Sequence, residues 1–267
     1  MKKRIAVAGA LLPCFLLVPG SARAADGALE ISQACVATGC VPGDAPGLPV
    51  TTQTGGRYVL TSDLTLPTAG SSGVLLEDFA TLDLRGFAIV GPATCSGSPA
   101  VCSNTGGGIG VVIGTGGMLR NGTIRGAGGP GVVADEVLLI EDVAVLRNGG
   151  VGISGDTAGG IIRGCRVFGN GGHGVNLALG SGGPGTLITG STVQANGGDG
   201  IRAAEANILA NTIIENGGLG LALNFVSGDA GFAHNVIRNN NGGNANPQTS
   251  GGNQLGTNVC ATDTVCP

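Results

Sequence analysis

The chain has 267 residues, 54 of them glycine, with 42% hydrophobic and 11% charged residues and a formal net charge of −4. So much glycine could signal low-complexity disorder, but Val, Ile and Leu recur at regular positions, which calls for a packed core with many tight turns. Its 13 Lys and Arg are scattered and outnumbered by 17 Asp and Glu, so the electrostatic footprint of a nucleic-acid binder is missing.

In chain order, Met1, Lys2, Lys3 and Arg4 precede an apolar run from Ile5 to Val18 and the small-residue site Ala22-Arg23-Ala24. This is the pattern of a secretory signal peptide over residues 1–24. Cys14 offers a rival reading as a lipid anchor, but it follows Pro13 and sits inside the apolar run. Losing the leader would leave 9 basic against 17 acidic residues, a balance of −8 with no lysine. No later stretch approaches the roughly 20 apolar residues of a membrane-spanning helix. A soluble chain without a membrane span, extracellular or periplasmic, is expected.

Six cysteines beyond the leader fall into three close pairs: Cys35 with Cys40, Cys95 with Cys102, and Cys260 with Cys266. Each pair closes a short loop of turn formers, which in an exported chain reads as a local disulfide. Cys-x-x-Cys zinc spacing is absent. Segments 25–49 and 244–267, each with one pair, read as caps on a central region spanning 50–243.

The central region repeats. Asn148, Asn170, Asn196, Asn216 and Asn240 align, with Ala127 one coil earlier, at steps of 20 to 26 residues. Three residues before each stands a β-branched residue: Ile124, Val145, Val167, Val193, Ile213 and Ile237. Eight before stand Leu119, Ile140, Ile162, Ile188, Ile208 and Phe232. After the turn, in Gly-Gly-x-Gly-apolar, come Val132, Ile153, Val175, Ile201 and Leu221. Short apolar stations between Gly and Asn turns are strands. One coil cannot bury its own apolar side chains, whereas stacking coils at about 4.8 Å closes a continuous core. The expected fold is all-β, a three-sided, right-handed parallel β-helix of roughly eight coils. Asn and Gly are expected at its corners, where tight turns need positive φ. Arg57 to Pro67 and Ala80 to Pro92 look like earlier coils, and Gly91 to Gly108 leaves the coil as a loop. Cys165, in the column of Gly122, Val143, Ser191, Asn211 and Asn235, is expected as a free inward thiol. Arg120, Glu141 and Arg163 share another column as a charge ladder.

This repeat resembles that of the pectate-lyase-like right-handed β-helix superfamily. More narrowly, Leu82-Asp83-Leu84-Arg85-Gly86-Phe87, Asn121 to Gly126 and the tail from Gly256 to Pro267 resemble an uncharacterised family of exported bacterial β-helix repeat proteins. The resemblance implies a fold and leaves activity open, since the superfamily hosts lyases, hydrolases, binding proteins and scaffolds.

For a lyase, the resemblance implies an acidic cluster holding Ca²⁺. The nearest match is Asp135, Glu136 and Asp156, carboxylates on adjacent coils that could share a hard cation, although water-facing turn carboxylates explain them too. For a hydrolase it implies Gly-His-Gly, which Gly172-His173-Gly174 reproduces without the accompanying Asn-Thr-Asp and Asp-Asp motifs. His173 fills the variable slot taken by Pro130, Val151, Asp199 and Leu219 in other coils. With Asp199 one coil away as an acid/base partner, and Asn176 and Arg202 as ligand-binding neighbours, it forms a compact polar patch; a solvated turn is the plainer reading. Aromatic sugar platforms are few: no Trp and one Tyr. Two His and Met118 are too few ligands for copper delivery, and Thr123, Thr192 and Thr212 make only a broken column for ice binding.

The leading reading is a non-catalytic exported surface or matrix component that binds polysaccharide weakly. Its rival is a lyase or hydrolase of acidic polysaccharide, which a −8 protein would repel unless Ca²⁺ bridged the two.

Overall fold

The computed structural model describes residues 27–136, 138–155, 159–177, 185–223, 230–264 and 266. The expected leader, Cys14 and Asp156 lie outside them.

Every strand pairing but one is parallel, and the strands stack into three ladders. Face 1 holds Leu29–Ile31, Arg57–Leu60, Thr81–Asp83, Ile161–Arg163, Thr186–Thr189, Ala206–Leu209, Gly231–Ala233 and Asn253–Gln254. Face 2 holds Leu64–Thr65, Ala88–Val90, Arg166–Phe168, Thr192–Gln194, Thr212–Ile214, Val236–Arg238 and Val259–Cys260. Met118–Arg125 and Leu139–Leu146 run unbroken from face 1 into face 2. Face 3 is a ladder of nine strands from Val50–Thr51 to Thr249–Ser250.

The columns read from the sequence are the ladder registers. Ile124 pairs with Val145, Val145 with Val167, Val167 with Val193, Val193 with Ile213, and Ile213 with Ile237. All six side chains are fully buried. The Leu119 and Val132 columns stack the same way, on faces 1 and 3. Each such residue contributes about 1.5–3 kcal/mol by leaving water, but only once a neighbouring coil covers it. Stability therefore accrues by stacking.

The repeated Asn column corrects the expectation of positive φ. The left-handed residue is the one before it: Arg147, Gly169, Ala195, Glu215 and Asn239, with φ of 52 to 68°. That bend turns each following Asn inward, where it is at most 1% exposed. Asn148 Nδ2 donates to Asn170 Oδ1, Asn170 to Asn196, Asn196 to Asn216 and Asn216 to Asn240, each at 2.9 Å. Gln248 caps the stack, accepting from Asn240 at 3.2 Å. A buried amide must satisfy its donors and acceptor, and stacking identical amides does so for each in turn. A second, shorter ladder links Asn211, Asn235 and Asn258 at the corner between faces 1 and 2.

The Gly of Gly-x-Gly before face 3 answers to space rather than to φ. A Cβ on Gly152 would lie 2.6 Å from Gly174 O and Val167 Cγ1 and 2.8 Å from Asn170 Nδ2.

The charge column holds its register, but Arg120 pairs with Asp83 at 3.1 Å, while Arg163 pairs with Glu141 at 2.6 Å. Asp83 competes successfully because it occupies the next rung on the other side. All three cysteine pairs are disulfides, and Cys165 is free and buried. Burial pushes its thiol up to about 11.

The excursion after Gly91 is an antiparallel hairpin, Thr94–Ser96 with Val101–Ser103, and Cys95 sits opposite Cys102. It folds along the corner between faces 2 and 3. Ala100 N donates to Ala195 O at 2.9 Å, and Ser98 Oγ donates to Glu215 Oε2 at 3.3 Å. In the two terminal segments, Leu29–Ile31 already pairs with Tyr58 to Leu60, and Thr249–Ser250, Asn253–Gln254 and Val259–Cys260 add a rung to each ladder. No described helix is long and apolar enough to cross a membrane.

Candidate functional site

The Asn-Gly-Gly-x-Gly turn delivers the chain onto face 3 and places residue x at its rim. Stacking puts x of one coil beside x of the next, so His173 and Asp199 meet although 26 residues separate them. Two residues past the closing Gly, Asn176 and Arg202 pair in register on the outer side of face 3. The structure thus brings the four patch residues together.

The contacts differ from those of an acid/base pair. Asp199 N donates to His173 Nδ1 at 2.9 Å, so Nδ1 carries a lone pair and the ring proton sits on Nε2. The Asp199 carboxylate oxygen Oδ2 stands 3.4 Å from that same nitrogen, an ion pair only if the backbone bond is given up. Asp199 Oδ1 instead accepts from Leu219 N at 2.9 Å. Each polar x residue therefore receives the amide of the x residue in the next coil. Burial holds His173 below the usual histidine range; the Asp199 carboxylate opposes that shift and the Arg202 charge adds to it. The imidazole is neutral at neutral pH, with its proton on Nε2.

Asn176 Oδ1 is buried with no hydrogen-bond partner among the described residues. A buried carbonyl oxygen left unpaired costs about 1–3 kcal/mol, so a rotation of the Asn176 side chain that brings this oxygen to a ligand donor gives up none of its hydrogen bonds. The face-3 column runs Val112, Val133, Ser154, Asn176, Arg202, Ala222. It turns polar at Ser154 and carries its amide and guanidinium at the coils of His173 and Asp199.

Asp135 and Glu136 follow the fourth strand of this face, Val132–Ala134, and both are exposed. Asp156, their expected partner, lies outside the described residues. Among the described residues no three His, Cys, Asp or Glu side chains converge as metal ligands.

The arginines are not all scattered. Arg125, Arg147 and Arg166 gather with Phe168 around a groove of about 380 Å³ between face 2 and the hairpin. Arg125 and Phe168 directly follow, and Arg166 directly precedes, members of the buried Ile124 column, while Arg147 precedes Asn148. Reading the residues beside each buried column coil by coil would have placed them on one surface. Counting charges along the chain conceals it.

The family model described as "Right handed beta helix region" matches residues 52–205. Comparison with curated proteins gave no match. Among solved structures, the A-module of Azotobacter vinelandii mannuronan C-5 epimerase AlgE4 is similar at 18% identity and a TM-score of 0.47, covering 84% of this chain and 70% of that one. With the model matching well over half of the chain and three parallel ladders in register, the chain belongs to the right-handed β-helix family.

Proposed function

We propose that this chain is an exported β-helix protein that binds polysaccharide along face 3 without cleaving it. The observation that carries the reading is the bond chain through the patch. His173 Nδ1 and Asp199 Oδ1 both serve as acceptors for turn amides, which makes them parts of a rigid surface. General acid/base chemistry by His173 needs its basic nitrogen free to take up and return a proton, and Nδ1 is engaged by the Asp199 amide. What the patch presents is recognition chemistry: an Nε2–H donor at His173, an unpaired carbonyl oxygen at Asn176 and a guanidinium at Arg202. Successive coils repeat these positions at about 4.8 Å, close to the advance of a glycan chain by one pyranose. A chain lying along the axis would meet one coil per sugar.

The second reading, cleavage of acidic polysaccharide, draws on the 3.4 Å approach of Asp199 Oδ2 to His173 Nδ1, which a protonated ring would turn into a charged pair. Equilibrium binding to soluble acidic and neutral polysaccharides, with and without Ca²⁺, tests the proposal. Binding to at least one class that falls about tenfold in Asn176→Ala and Arg202→Gln is the expected result. Equal binding by wild type and both variants would remove face 3 as the site.

A further inference from the structure

The groove beside the hairpin is a separate site from the face-3 patch. Its floor and walls are Gly91, Ala93, Cys95, Gly126 and Leu146, and its charge comes from Arg125, Arg147 and Arg166. Among the described residues no acidic side chain lines it. Elsewhere arginines find carboxylates, Arg120 at Asp83 and Arg163 at Glu141. Arg125, Arg147 and Arg166 have no carboxylate partner among the described residues. Three neighbouring unpaired guanidiniums repel one another. That arrangement, in a chain with more acidic than basic residues, calls for an anion between them.

Two of the guanidiniums are also positioned. Arg166 Cζ stands 5.0 Å and Arg147 Cζ 5.9 Å from the Phe168 ring centre, so one half-buried ring holds two cations by cation–π attraction. The opposite wall is fixed by the Cys95–Cys102 disulfide and by the bond from Ala100 to Ala195. A wall and a charged rim that are both held in place form a built site rather than a transient patch.

We infer that this groove binds a phosphate or sulfate monoester carried on a single sugar unit, its tetrahedral oxyanion among Arg125, Arg147 and Arg166 and its carrier against Leu146, Ala93 and Gly126. A planar carboxylate is satisfied by one bidentate guanidinium, whereas an ester group with three terminal oxygens engages three. A phosphate monoester, at −1.5 to −2 near neutral pH, also offsets more of their charge. The groove's volume of about 380 Å³ exceeds what a bare oxyanion fills, and apart from Thr94 its remaining lining is apolar.

Calorimetric titration of the purified protein with glucose 6-phosphate, glucose 6-sulfate, glucuronate, glucose and inorganic phosphate tests this. At least one ester should bind about tenfold or more tighter than glucose, glucuronate and inorganic phosphate, and weaken with added salt; which ester binds identifies the source of the oxyanion. Arg147→Gln with Arg166→Gln should cost about tenfold or more in affinity. Phe168→Leu should weaken binding with no change of charge and Phe168→Tyr should restore it, which separates positioning from contact. Of the three substituted side chains Arg147 and Arg166 are exposed and Phe168 is half-buried, and circular dichroism verifies the fold of each variant. Ester binding no tighter than that of glucuronate, glucose or inorganic phosphate, or unchanged in the double arginine variant, would overturn the inference. Asn176→Ala leaves this groove intact, so loss of face-3 binding and loss of ester binding are read independently.

Discussion

Asn170 Nδ2 donates to Asn196 Oδ1 at 2.9 Å, and the same oxygen accepts the backbone N–H of Asn170 at 3.0 Å. One side-chain atom thus satisfies two buried donors of the preceding coil, while Asn196 passes its own donors to Val167 O and Asn216. Asn196→Ala removes the acceptor for two of Asn170's three donor hydrogens at once, leaving only the Nδ2 bond to Val145 O. With each buried, unpaired group costing about 1–3 kcal/mol, a loss of about 2–4 kcal/mol is expected. Asn207→Ala, at an exposed position on face 1, should stay within about 0.5 kcal/mol of wild type. Urea unfolding of the two variants makes the comparison.

Gly152 sits over that ladder. A methyl there meets Gly174 O, Val167 Cγ1 and Asn170 Nδ2, two of them in the next coil's core, so Gly152→Ala should cost about 1–3 kcal/mol through overpacking. Gly190 has φ of 60° but nothing within 4 Å of a built Cβ, so Gly190→Ala carries only backbone strain, about 1–2 kcal/mol. Repacking distinguishes them: with Val167→Ala in the background, the cost of Gly152→Ala should shrink and that of Gly190→Ala should not.

These two residues show how far the sequence carries. The strand columns were legible because burial demands apolar side chains at fixed offsets, and six coils repeat the demand. The Asn column is equally visible, but its cause is not: Asn suits a left-handed turn and an internal amide ladder alike, and only the backbone shows that Arg147 and Ala195 take the turn. Meeting of His173 with Asp199 followed from register. Their hydrogen bonding did not, because the choice between carboxylate and backbone amide at Nδ1 depends on orientations of about an ångström. The arginine groove was hidden for a different reason. Its wall is an insertion that leaves the repeat, so no periodicity says where it folds back.

His173 gives a pH signature. Its folded pKa lies below the ordinary value of about 6.5, so between those two values the unfolded chain binds the extra proton. Stability is full above about 6.5 and falls as pH drops toward the lowered folded value, below which the contribution is gone. His173→Asn offers an acceptor oxygen to the Asp199 amide without titrating in this range. Unfolding midpoints at about pH 7.5 and about pH 5 should therefore fall more for wild type than for the variant. An equal fall in both would mean that His173 takes up its proton as readily in the folded chain as in the unfolded one, with the Asp199 Oδ2 ion pair making up for the lost amide bond.

Binding without cleavage at face 3 is the central claim, and one size-exclusion run tests it directly. The protein is incubated with acidic and with neutral polysaccharide, with and without Ca²⁺, and both protein elution and glycan length are followed. The account predicts co-elution with at least one polysaccharide and unchanged glycan length in every arm. Shortened glycan, abolished by His173→Ala or Asp199→Ala, would contradict it and establish the patch as a catalytic pair.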